Sequence, residues 1–136
     1  MRTLSEIACD VRDLLLTKFR TVRISSLQTS DQLLKEIKAI HPDKLPGVII
    51  VFDRWEFDGF SRTSTAHLTL VLVGEFRAGS DERAMSVFAS AADLMALFPA
   101  EGKEVSGTYF YPSDCVSATP DAQYAVLAIG IEVKQG

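Results

Sequence analysis

The side chains best suited to chemistry are the carboxylates Asp53, Glu56 and Asp58, which cluster in the middle of the chain. Acids set this close together can hold a hard cation or divide acid and base roles between them. Glu56 and Asp58 alternate around one residue, so on a strand they share a face. Arg54 and Arg62 lie in the same segment and the spacing matches no metal-binding loop, so a solvated connector with local ion pairs is the better reading. Nucleophilic catalysis needs a base beside Ser or Cys, and only His41 and His67 are available. His41 ends a helical stretch against Pro42, His67 sits mid-strand, and no Gly-x-Ser-x-Gly elbow occurs. Gly47, Gly59 and Gly74 are isolated and Gly102 and Gly107 lead into no helix, so no phosphate loop is present. Cys9 and Cys115 are too few and too far apart for a metal motif and read as reduced structural thiols. The expectation is a protein that is not an enzyme and carries no cofactor or metal.

What remains distinctive is the connector itself, Arg54-Trp55-Glu56-Phe57-Asp58-Gly59-Phe60-Ser61-Arg62. Its aromatics and arginines have the composition of a protein interface. Equally, Trp55, Phe57 and Phe60 can fold back onto the domain's own core, and both readings stand on sequence alone.

The elements around this connector follow from hydrophobic periodicity. Leu4, Ile7, Ala8, Val11, Leu14, Leu15 and Phe19 form one stripe of a first helix over Thr3 to Phe19, with Cys9 and Leu16 on its other side. Thr21 to Leu27 reads as a short strand. Ser30 caps a second helix whose stripe is Leu33, Leu34, Ile37 and Ile40, ended by Pro42 and Pro46. Gly47 to Phe52 is apolar on both faces, as in a central strand covered on both sides. Thr65 to Arg77 alternates: Ala66, Leu68, Leu70, Leu72 and Phe76 face a core, and Thr65, His67, Thr69, Val71, Val73 and Glu75 form a mixed face suited to a partner. Ala78 and Gly79 turn the chain into a third helix capped by Ser80, with Ala84, Val87, Phe88, Ala91, Leu94, Met95 and Phe98 as its core stripe. Its back carries Met85, Ala89, Ala92 and Ala96. Pro99 to Gly107 reads as a loop, Thr108 to Ala118 as an edge or bulged strand interrupted near Pro112, residues 119–122 as a turn, and Gln123 to Lys134 as a final strand. The order α-β-α-β-β-α-β-β gives an α+β fold, a mostly antiparallel sheet with helices packed on it.

The chain has 136 residues, 47% of them hydrophobic and 24% charged, which fits one domain over residues 1–136 with a sizeable core. A net charge of −4 and a pI near 5.1 argue against duplex nucleic acid or an anionic membrane as the main partner, and no sequence-specific nucleic acid is expected. No apolar run reaches the roughly 18 residues of a membrane span. Met1-Arg2-Thr3-Leu4-Ser5-Glu6 does not open a secretion signal, so folding in a cytoplasm is expected.

The layout resembles the Mu-like prophage tail-terminator family, which is similar in fold to the lambda tail terminator. The resemblance covers nearly the whole chain. It rests on the buried strand Pro46-Gly47-Val48-Ile49-Ile50-Val51, the aromatic and glycine connector, the long strand Thr65 to Val73, and the Gly79-Ser80-Asp81-Glu82-Arg83 entry to the third helix. It implies a structural subunit that assembles with itself, as a homo-hexameric ring, in the bacterial cytoplasm and remains in the virion tail. That ring would cap a tail tube, ending polymerisation, and present a head–tail joining surface, so the partners are the tail tube protein and a head-completion protein. The family pattern does not fix the contact positions; from their own chemistry the expected contact residues are Trp55, Phe57, Phe60 and Arg62 of the connector, with Thr69 and Val71 on the outer strand face. Two alternatives stay open: another neck or head–tail connector protein, and a small-ligand or metal-binding domain using Asp53, Glu56 and Asp58.

Overall fold

Helix α1 (Leu4–Leu15) begins at a reciprocal cap. The Glu6 amide donates to Thr3 Oγ1 at 3.2 Å, and the Thr3 amide donates to Glu6 Oε1 at 3.2 Å. The helix stops at Leu15, earlier than the apolar stripe predicts, and Phe19 reaches the core from the following turn. The structure is a computed structural model that describes residues 2–26, 30–75, 79–118 and 124–136, the side chains of Ser30 and Ala118 excepted. The expected cap by Ser30, the strand ends at Leu27 and Arg77, the inward Phe76, Ala78, the turn at 119–122 and the strand start at Gln123 lie outside the described residues.

The remaining elements are β1 (Thr21–Ser25), α2 (Ser30–Ala39), a short 3₁₀ turn (Pro42–Lys44), β2 (Gly47–Asp58), β3 (Thr63–Val73), α3 (Ser80–Leu97), β4 (Lys103–Val105), β5 (Thr108–Ala118) and β6 (Val126–Gln135). The six strands form one sheet in the order β1-β2-β3-β6-β5-β4. Only the β1–β2 pair is parallel; the others are antiparallel, which makes this an α+β fold. The element order matches the sequence reading except for β4, three residues inside the expected loop that pair with Thr108–Phe110.

Helices cover both faces of the sheet. On one face α1 and α3 close a core with Val48, Ile50, Leu68, Leu70, Leu72, Ile129, Ile131 and Val133. On the other, Ile37 of α2 and Ile40 just past its end cover Ile49, Val51, Val71, Val73 and Val126. The expected burial of β2 on both sides is therefore present. Each of these side chains contributes roughly 1.5–3 kcal/mol when fully buried.

Two assignments change. The segment after Phe52 is not a connector: β2 continues to Asp58, and β3 starts at Thr63. A β-bulge at Asp53 explains why the pattern is lost there, because Phe52 pairs with Leu68 and Arg54 with His67, leaving Asp53 extra. Side chains on the α1–α3 face of the sheet thus run Val48, Ile50, Phe52 and then Trp55, Phe57, and only an inserted residue lets both sets face the same side. The second change is the start of α3. Gly79 occupies the cap position with no side-chain cap bond, and Ser80 is the first helical residue. The helix settles directly on bare backbone: a Cβ on Gly74 would lie 3.0 Å from Val87 Cβ and 3.1 Å from its amide nitrogen. That contact rotates the helix, so Val87, Ser90, Leu94 and Phe98 are buried while Phe88 and Met95 turn outward.

Candidate functional site

The β2–β3 hairpin carries all six of the expected contact residues, and the sheet spaces them along its length. Pairing runs from Gly47 opposite Val73 to Asp58 opposite Thr63, and residues 59–62 form the tip. Asp58 organises that tip: its Oδ1 accepts from the Phe60 amide at 3.0 Å and the Ser61 amide at 3.3 Å. Hydrogen bonds from Ser61, first its side chain and then its amide, together with the Phe60 amide, hold the Asp58 carboxyl below its ordinary value of 3.8. Because the folded value is depressed, the turn's stabilisation is present above the ordinary range and lost as pH falls through the lowered one. We expect the Phe60 and Ser61 amide resonances to shift together at a midpoint below 3.8, and Asp58→Ala to abolish that transition. A midpoint at or above the ordinary value would refute the Asp58 cap.

Phe60 is 101% exposed and Phe57 63%, and Arg62 beside them is exposed in the left-handed region at φ 58. Trp55 differs. It is half-buried against the α1–α3 core and touches Phe57, with ring centroids 4.7 Å apart. It anchors the hairpin, and Phe57 and Phe60 are what the hairpin shows to solvent.

On the opposite face the charged groups form a cross-strand ladder. Glu56 Oε1 accepts from Arg54 Nε at 2.7 Å and lies 2.9 Å from His67 Nε2. His67 Nδ1 faces Glu132 at 3.9 Å, and Lys134 Nζ lies 3.8 Å from the other Glu132 oxygen. The Arg54 hydrogen bond lowers the Glu56 carboxyl. Pairs this exposed are screened by water, so they orient the hairpin more than they stabilise it.

The three acids of the sequence cluster end in three places. Asp53 accepts from Thr69 Oγ1 at 3.0 Å, Glu56 joins the ladder, and Asp58 caps the tip. Among the described residues no group of His, Cys, Asp and Glu is placed to hold a metal ion. Thr69, expected on an outer face, does lie on its open half, at a cleft of about 490 Å³ shared with Asp53, His67, Asp114, Gly130 and Glu132. A second bulge lies at Ser113 beside this cleft, and bare Gly130 leaves room there for the Ser113 and Asp114 side chains. Sequence reasoning missed Asp114, Gly130 and Glu132 because only strand pairing brings them beside Thr69. Val71, expected as a contact, is 4% exposed beneath α2 and presents nothing to a partner.

A second surface emerges on α3. Met85 is 66% exposed and Phe88 56%, and with Ala89, Ala92, Met95 and Ala96 they form an outward apolar ridge. Its spacing of three and four residues was the available signal. Beside it runs a groove of about 500 Å³ whose lining includes Glu75, Glu82, Asp93 and Met85 and, among the described residues, no basic side chain. No protein-family model matches the chain, and no curated protein matches it.

Proposed function

We propose that this chain is a structural subunit of a phage tail that caps the tail tube as a ring, ending its polymerisation and offering a head–tail joining surface. The observation that carries the reading is the distribution of its exposed apolar side chains. Among the described large apolar side chains the four most exposed are Phe60, Met85, Phe57 and Phe88, two at the hairpin tip and two on α3. Large apolar side chains paired on a turn tip and on a helix face suit association surfaces. The polar groups, by contrast, are occupied with local structure: both ring nitrogens of His67 face carboxylates, and Asp53 and Asp58 accept from neighbouring hydroxyl and amide groups. The arrangement supplies complementary surface rather than an activated nucleophile.

The test is a capping assay. Tail tube protein from the same phage is polymerised with and without this chain, and tube length and tube ends are scored by electron microscopy. The expected result is arrested growth with a ring of density on one end. Tubes that grow equally long, with bare ends at saturating protein, would overturn the proposal.

A further inference from the structure

We propose that the β2–β3 hairpin tip of one copy docks against the outward side of α3 on the next copy, a head-to-tail contact that repeats around an assembly. The inference rests on the ring reading above and identifies the surfaces that would build it.

The two surfaces lie at opposite ends of the same strand pair. Residues 59–62 close the hairpin beyond Asp58 and Thr63. The α3 groove lies at the far end, since its lining includes Pro46, next to the Gly47–Val73 pair, and Glu75, just past β3. A surface at one end that fits a surface at the other lets copies join end to end. It generates a heterologous chain of contacts, which closes into a ring when the rotation between copies permits.

The surfaces also match chemically. The tip presents Phe60 and Phe57, fully and largely exposed, and α3 presents Met85 and Phe88. Thioether against aromatic ring is a favourable pairing. Charge follows the same direction. At the tip, Glu56 is held by Arg54 and His67 and Asp58 by the turn amides, so Arg62 is the charge the tip offers outward. The groove offers Glu82 and Asp93. An arginine entering an acid-lined apolar groove behind an aromatic anchor is a common centre for an interface.

The test uses two single variants of the full chain, Phe60→Asp at the tip and Met85→Asp on α3. Both positions are well exposed, and near-ultraviolet circular dichroism with Trp55 fluorescence checks that each variant is folded. Mass is then measured by light scattering across protein concentration. The wild type is expected to associate with concentration, and each variant alone to associate about tenfold more weakly or less. Mixed in equal amounts, the two variants are expected to form dimers and nothing larger, because the intact groove of one receives the intact tip of the other and no further contact remains. Either variant assembling like the wild type, or a mixture that stays monomeric, overturns the contact while leaving the ring reading intact. A wild type that is monomeric at every concentration also overturns it as a contact between free copies, and the capping assay then decides the ring reading separately.

Discussion

Val71→Asp is expected to unfold the chain rather than to weaken an interface. Val71 is 4% exposed and sits among Ile37, Ile40, Leu45, Ile49 and Val73. A carboxylate there loses its hydration among apolar side chains, and such burial is among the few changes that cost more than about 4 kcal/mol. That is a large share of the roughly 5–15 kcal/mol that holds a domain together. The neighbouring outward residue gives the contrast. Thr69→Ala removes one exposed hydrogen bond to Asp53 and is expected to cost about 1 kcal/mol or less. Urea unfolding followed by Trp55 fluorescence separates the two. A folded Val71→Asp variant with a near wild-type midpoint would mean that α2 does not cover this half of the sheet.

This contrast shows where the sequence was readable and where it stopped. Alternation along β3 correctly divided its two faces, and Ala66, Leu68, Leu70 and Leu72 all lie in the α1–α3 core. Alternation does not say what covers the other face. α2 reaches Val71 and Val73 but not Thr65, His67 and Thr69, so one face is half core and half surface. The bulge at Asp53 had a similar effect on β2. The period-two pattern breaks there, and a strand that in fact continues to Asp58 looks like a connector. The three clustered acids lose their common meaning for the same reason, because a bulge, a ladder and a turn carry them to different partners. The ladder and the Thr69 cleft depend on β6 and β5, whose pairing with β3 and β6 no local pattern records.

Helix α3 supplies the sharpest case, because two phenylalanines with the same expected role are expected to behave oppositely. Apolar residues run round most of this helix, so periodicity fixes its length and leaves its rotation open. Gly74 settles the matter: Val87 rests on its bare backbone, which turns Leu94 and Phe98 inward and Phe88 outward. Phe98 is 0% exposed and its ring centroid lies 6.1 Å from that of Phe110, itself 0% exposed, at a tilt of 58°. Phe98→Ala is therefore expected to cost about 3–5 kcal/mol, from lost burial and the cavity left beside Phe110. The double variant with Phe110→Ala should cost less than the sum, by about 0.5–1.5 kcal/mol, the worth of a tilted aromatic pair. Phe88 is 56% exposed, and Phe88→Ala is expected to change monomer stability by no more than about 0.5 kcal/mol while weakening association measured by light scattering. A chemical-denaturation series at low protein concentration, where association does not contribute, reads the two phenylalanines directly. Equal losses at Phe88 and Phe98 would show that α3 is rotated toward the sequence-predicted stripe, and the ridge built on Met85 and Phe88 would then no longer face outward.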